Sequence, residues 1–272
     1  MACRCGGYGL KIATVVLLML GMGCNRHKGT VVDSQTISIK SLDEVEMLKD
    51  ELVKPVLYTN VSGFDRLPSP QAKAKFIAAV LPSILIAKHN IEEDRKRMVQ
   101  LKKKLAWEAD DSVFFFDMKV RYKAKTVNDL IGRMRTLPNS IVLAQTAVES
   151  GWGQSRFFLS ASNLFGIWSF NANEPRIAAS HTRGNRMIYL RSYTDMSQSI
   201  QHYFEILSRS TAYRSLRRAR LKTDNPFKLL PHLKYFSERR SAYTRQLRSV
   251  IVANNLTQYD RYRIDPEFLI EE

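Results

Sequence analysis

Apolar residues recur every seven positions through one long stretch of the chain: Ile77, Ile84, Ile91, Met98 and Leu105, with Leu81 and Leu101 beside them. That spacing predicts a long helix beginning near Gln71 with one apolar face. Pro82 is expected to kink it or to end its first part. The charged stretch from Glu92 to Lys104 reads as a solvated helix face, with a nucleic-acid-binding strip as the sharper alternative. Asp110-Asp111-Ser112 predicts the start of a second helix, whose apolar face is Phe114, Phe115, Met118 and Tyr122. A third helix has Pro138 at its first position and is almost wholly apolar from Ile141 to Val148, so it belongs in the core. Gly151 and Gly153 end it. Between Asn163 and Tyr193 the period breaks down, and loops with a short hairpin are expected. Helical patterns return from Met196, with Asp195 as a capping residue, and end near Asn254. Residues 25 to about 45 are polar and aperiodic, as a tether would be, and Pro55, Gly63, Pro68 and Pro70 punctuate the stretch before the long helix.

Composition adds a direction of travel. The 272 residues carry 42 Lys+Arg against 26 Asp+Glu, a formal net charge of +16, which points to a polyanionic partner. The three cysteines, Cys3, Cys5 and Cys24, lie at the amino terminus, so no disulfide framework, thiol nucleophile or cysteine zinc site is expected in the main body. Arg4 and Lys11 precede an apolar run, Ile12 to Met22, roughly half of the ~20 residues a membrane span needs. Gly21 and Gly23 follow. The pattern reads as a signal peptide over residues 1–23. Cys24 then stands where a lipidated first residue would, although Gly21 replaces the leucine expected three positions earlier. Ordinary secretion and an uncleaved anchor are the alternatives. One acyl chain holds a protein only marginally, and a basic body would help on an anionic leaflet. Cleavage removes Arg4 and Lys11 and no acid, so the signal does not account for the basicity. From Glu205 to Arg248 there are twelve Lys/Arg and three acids. A basic surface there, with Arg217, Arg218 and Arg220, would follow acidic wall polymer or anionic lipid. Export makes nucleic acid an unexpected partner.

Glu149 carries the candidate chemistry. It ends the most apolar helix and is followed by Ser150-Gly151-Trp152-Gly153. A carboxyl desolvated on one side holds its proton to higher pH. Glycines leave room for a ligand, and Trp152 offers a face to a sugar ring. A protonated carboxyl beside an aromatic is the general-acid arrangement of lysozyme-type glycosidases. A structural glutamate closing an apolar helix is the other reading of the same residues.

The surrounding residues add a resemblance. Leu143 through Phe157, with Glu149-Ser150-Gly151-Trp152-Gly153 at its centre, resembles the catalytic helix of bacterial peptidoglycan endo-β-N-acetylglucosaminidases. Asn163-Leu164-Phe165-Gly166-Ile167-Trp168 resembles the segment that closes the family motif. Arg191-Ser192-Tyr193, Ser199-Ile200 and Tyr203 look like the helix after the substrate lobe. Ala212 to Arg217, Tyr235 to Arg239, and Ala242-Tyr243 through Leu256 look like the branch of Bax-like proteins. The similarity spans roughly residues 65–260. It implies a mainly α, lysozyme-like α+β fold: a helical glucosaminidase domain at 136–260 with a small irregular or β-hairpin lobe, and a helical amino-terminal extension at 65–135. A tether at 24–64 and a tail at 261–272 would flank it. It also implies that Glu149 protonates the glycosidic oxygen between N-acetylglucosamine and N-acetylmuramic acid in peptidoglycan glycan strands.

Glycosidases commonly use a second carboxylate. Family members carry one in the lobe, where this chain has Ser180-His181-Thr182-Arg183-Gly184 and no acid. Glu174, the only acid between Ser150 and Tyr193, is the candidate, and an exposed loop glutamate is its plain alternative. Without a second acid, the substrate's own N-acetyl group could assist, or the enzyme could be a lytic transglycosylase. A non-catalytic wall binder of the same fold is the rival of a different class. Trp152, Phe165, Trp168, Tyr193, Tyr235 and Tyr243 are candidate groove aromatics, with Tyr235 favoured over Tyr243 beside the acid. Asn163 is expected to bond backbone or substrate, and Gly166 to permit close approach. The scattered histidines have no metal-ligand spacing, and no phosphate-binding glycine loop occurs, so neither metal nor organic cofactor is expected.

Overall fold

The computed structural model describes residues 29–183 and 186–271, excluding the side chains of 181–183 and 186. The signal-peptide residues and Cys24 therefore lie outside the described residues, as does part of the lobe segment.

The chain begins with four short strands, β1 (Thr30–Val32), β2 (Gln35–Ser38), β3 (Leu52–Val53) and β4 (Val56–Thr59). The central helix α1 (Ser69–Leu101) follows, then α2 (Ala109–Tyr122), α3 (Val127–Arg133), α4 (Asn139–Ser150) and α5 (Arg156–Ala161). A hairpin of β5 (Arg176–Arg183) and β6 (Arg186–Arg191) forms the lobe. Helices α6 (Met196–Arg209), α7 (Arg214–Ala219), α8 (Pro226–Leu229) and α9 (Ser241–Ala253) come next, and β7 (Arg263–Ile264) and β8 (Leu269–Glu271) end the chain. The architecture is mainly helical, with a small hairpin lobe.

Helix α1 departs from the one-faced stripe that its sequence predicts. Every residue from Phe76 to Ala87 is buried, because α4 and α6 pack on part of its surface and the amino-terminal strands on another. It continues through Pro82, whose ring removes one donor without ending the helix. Ile77, Ile84, Ile91 and Met98 are buried as the period requires, but Leu105 lies beyond the last turn and is fully exposed. The charged stretch near its end pairs with itself, Arg95 to Glu92 at 2.8 Å and Lys96 to Glu93 at 2.6 Å.

Residues 24–64 are not a tether over their described part, and 261–272 is not a loose tail. β1 pairs antiparallel with β8, and β3 pairs parallel with β7, so the two ends of the described residues clasp one another. β2 and β4 pair in parallel beside them. Val45, Val53, Tyr58, Val61 and Phe64 are all buried in the main core.

Candidate active site

The turn after α4 is built by four residues with separate duties. Gly151 takes the left-handed conformation, φ 59°, that closes the helix. The Ser150 hydroxyl donates to the Thr146 carbonyl at 2.6 Å and accepts from the Gly153 amide at 2.9 Å. Trp152 also has positive φ, 57°. At Gly153, φ 84°, a β-carbon would stand 2.6 Å from the Phe64 ring, so only glycine fits beneath that aromatic. Ser155 then caps α5, accepting from the Phe158 amide at 3.1 Å.

This scaffold holds Glu149 half-buried on the last turn of α4. Burial raises its pKa, opposed by a hydrogen bond from the Tyr243 hydroxyl and by the positive charge of Arg239. Tyr243 belongs to a buried chain of hydrogen bonds. Tyr203 donates to Oε1 of Gln145 at 2.5 Å, and Nε2 of Gln145 donates to the Tyr243 oxygen at 3.0 Å. The Tyr243 proton is thereby directed toward Glu149. Burial, reinforced by the nearby Glu149 charge, keeps Tyr243 protonated well above its ordinary range.

Beside this chain lies a cavity of about 840 Å3. Phe165, Trp168, Tyr203, Tyr213 and Phe236 give it aromatic walls, and Glu174, Arg191 and His202 supply its polar side. Phe165 stacks on Tyr203 at 4.2 Å, and Trp168 is substantially exposed. Glu149 lies within electrostatic reach of both Tyr203 and Tyr213; burial first, then the Glu149 charge, pushes Tyr213 up to about 12. Glu174 approaches Arg191 at 3.2 Å. Arg191 and Arg209 flank His202, and the Tyr193 hydroxyl meets its Nδ1 at 2.7 Å. Burial, with those two cations, pushes His202 down to about 4, so its ring is neutral at pH 7. Among the described residues no cluster of His, Cys, Asp and Glu could hold a metal ion.

The structure sorts the sequence candidates. Phe165, Trp168 and Glu174 line the cavity. Gly166 has φ 64° and turns the chain between Phe165 and the strand bridge at Trp168. Asn163 is buried and committed to backbone: it donates to the Ile167 and Arg191 carbonyls at 3.0 and 2.8 Å and accepts from the Ile167 amide at 2.9 Å. It shapes the loop rather than presenting its amide to a ligand. Trp152 does not line the cavity; it packs edge-on against Phe76 of α1, with Lys73 over its ring. Tyr193 faces a neighbouring depression. The preference for Tyr235 beside the acid is reversed, because Tyr243 is fully buried against Glu149 while Tyr235 is 47% exposed on another surface. Gln145, Arg191 and His202 escape a sequence reading of chemistry. A polar residue inside the most apolar helix was the available signal for Gln145.

Residues 124–256 match the sequence model of the glucosaminidase family, described as mannosyl-glycoprotein endo-beta-N-acetylglucosaminidase. Protein bax of Escherichia coli (strain K12) is 26% identical over 160 residues, covering 56% of each chain, so this chain spans little more than half the length of that relative. Among solved structures, the catalytic domain of the autolysin Auto from Listeria monocytogenes is 19% identical, with a TM-score of 0.39, over 61% of this chain and 97% of that one. The peptidoglycan hydrolase from Sphingomonas sp. A1 is 21% identical, with a TM-score of 0.38, over 52% and 92%. Through residues 124–256, just under half of its length, the chain is similar to the glucosaminidase family.

Proposed function

We propose that this protein is a cell-wall glycosidase that cleaves the β-1,4 bond between N-acetylglucosamine and N-acetylmuramic acid, with Glu149 as general acid. The observation that carries the reading is the placement of Glu149: a half-buried carboxyl of raised pKa, met by a buried tyrosine hydroxyl, beside an aromatic-walled cavity. Burial keeps a fraction of Glu149 protonated nearer neutral pH, and Tyr243 then supports the carboxylate formed when the proton leaves. The aromatic walls suit pyranose rings. Glu174, aimed by Arg191, is the proposed second carboxylate, positioning water or stabilising developing positive charge. Neutral His202 spaces the two arginines and holds Arg191 in place without adding a third charge.

Such a substrate lies in the cell envelope, and the amino-terminal signal pattern supports export, with Cys24 as the proposed site of lipid attachment. Digestion of purified sacculi tests the reading. New reducing N-acetylglucosamine ends are expected. Anhydromuramic ends would make the protein a lytic transglycosylase, and no new ends would make it a binder. Glu149→Gln should lower the rate by about 10²-fold or more.

A further inference from the structure

The basic carboxy-terminal residues do not form the surface that their sequence order suggests. Arg220 is 1% exposed and donates to the Arg133 carbonyl at 2.7 Å. Arg217 is half-buried and donates to the Leu207 and Ser210 carbonyls at 3.0 and 2.6 Å. Both are structural cations inside the α6–α7 corner. Of the three arginines named from sequence, only Arg218 is exposed.

A different set faces solvent. Arg214, Arg218, Lys222 and Lys234 are exposed around one shallow depression whose lining contains no acid. Tyr235 stands on the same depression, with the Lys234 ammonium 5.1 Å from its ring centre and the Arg240 guanidinium 5.0 Å away. This shelf adjoins the aromatic cavity, since Thr211 stands on the lining of both. An exposed tyrosine between cations, with three further cationic side chains able to bind carboxylates and a rim shared with the proposed glycan cavity, has a definite chemical preference.

We propose that this shelf is an extended subsite for the carboxylate-bearing peptide stems of a glycan strand whose sugars occupy the cavity, so that the protein prefers peptide-bearing strands to stripped ones. The inference rests on the glycosidase reading of the Glu149 site. The shelf's position next to the cavity, with Thr211 on the rim of both, favours a substrate strand over a lipid surface, since a bilayer needs no proximity to the aromatic walls. A lining that carries positive charge and no acid raises the local concentration of anionic stems and makes capture salt-dependent.

The test compares sacculi carrying intact stems with glycan strands stripped of them by an amidase, using the full-length protein. In Arg218→Glu/Lys222→Glu, the ratio of kcat/KM on the two substrates should fall about tenfold, and the salt dependence of sacculus pelleting should flatten. The charge-matched control Lys102→Glu/Lys103→Glu, on the far end of α1, should keep the wild-type ratio. Arg218→Gln/Lys222→Gln, which avoids charge reversal, should show the same change at smaller size and guards against misfolding. A wild-type ratio in both shelf variants overturns the proposal. So does unchanged sacculus pelleting combined with lost binding to phosphatidylcholine vesicles containing about 30% phosphatidylglycerol, which would assign the shelf to anionic lipid. If the wild-type protein yields no new ends from either substrate, the glycosidase reading fails. Pelleting of stem-bearing against stripped strands then decides the shelf alone.

Discussion

Glu174 lines the aromatic cavity, and Glu149 stands behind its wall, within electrostatic reach of the lining residues Tyr203 and Tyr213; the two carboxyls rest on supports of opposite character. Glu149 ends a helix buried along most of its length, and its hydroxyl partner Tyr243 is fixed on the buried face of α9, beside Leu247 and Ile251. Glu174 stands in the loop before β5 and is oriented by one ion pair to Arg191, which is itself one-third exposed. Burial raises the proton affinity of the first carboxyl, outweighing the opposing hydrogen bond from Tyr243. The second is paired with Arg191 at 3.2 Å. Paired carboxyls in different surroundings are how a glycosidase assigns acid and anion roles. The contrast also separates rigidity from adjustability: Glu149 is fixed by the core, and Glu174 stands on the loop that leads into the lobe.

The comparison breaks most directly on the two glutamines. Glu149→Gln should remove about 10²-fold or more of the rate on sacculi, whereas Glu174→Gln, if it loses a positioned anion, should cost less, about tenfold. The stability effects should run in opposite directions. Because Glu149 has a raised pKa in the folded state, its ionisation destabilises the fold as pH rises through that value. Glu149→Gln should therefore melt higher than wild type at pH 8 and at nearly the same temperature at pH 4. Glu174→Gln leaves Arg191 near Arg209 and His202 without its counter-charge and should melt slightly lower, by ~1 kcal/mol or less for a partly exposed pair. Melting curves at the two pH values check both signs. Equal rates for the two variants would dissolve the distinction.

A third substitution tests the rigid side alone. Gly153→Ala drives a methyl to 2.6 Å from the Phe64 ring at a left-handed backbone position. It should cost about 1–3 kcal/mol and lower activity by displacing the end of α4, which a denaturation midpoint and the sacculus assay would show. The same contact shows what the sequence could and could not reveal. The turn glycines and the apolar run of α4 were legible because local backbone needs and a 12-residue pattern leave strong marks. Phe64 was invisible as their partner, because it belongs to a segment that reads as a tether. Strands of two to four residues are too short to show a period, and β1 finds its mate at the opposite end of the chain. The tyrosines show the same limit. Nothing local distinguishes Tyr235 from Tyr243; only the packing of α9 on α4 buries one and leaves the other on the basic shelf. His202 gave no sign at all, since its neighbours Arg191, Tyr193 and Arg209 converge only in the fold.

Tyr243→Phe sharpens the account of the acid itself. The hydroxyl bond stabilises the Glu149 carboxylate, so its loss should raise the Glu149 pKa further. A general acid works while protonated, and activity falls as pH rises through its pKa. The alkaline limb of the pH–kcat/KM profile should therefore move to higher pH. A limb that moves down would mean that the tyrosine acts on another group.

The smallest effect is the most discriminating. Gln145 touches no proposed substrate position and acts only through Tyr243, so it is a positioning residue. Its Nε2–H occupies the Tyr243 oxygen, leaving that hydroxyl's proton for Glu149, and its Oε1 is held in this orientation by Tyr203. Gln145→Leu should shift the alkaline limb in the same direction as Tyr243→Phe but by less, because the hydroxyl remains and has only lost its fixed orientation. It also leaves the Tyr203 hydroxyl buried without its acceptor, at a cost of about 1–3 kcal/mol. Adding Tyr203→Phe removes that stranded hydroxyl and should recover most of the stability. The limb, however, should stay shifted, since nothing in the double variant donates to Tyr243. If stability and pH profile recover together, Gln145 is only a packing residue, and the directed chain from Tyr203 to Glu149 has no part in setting the acid.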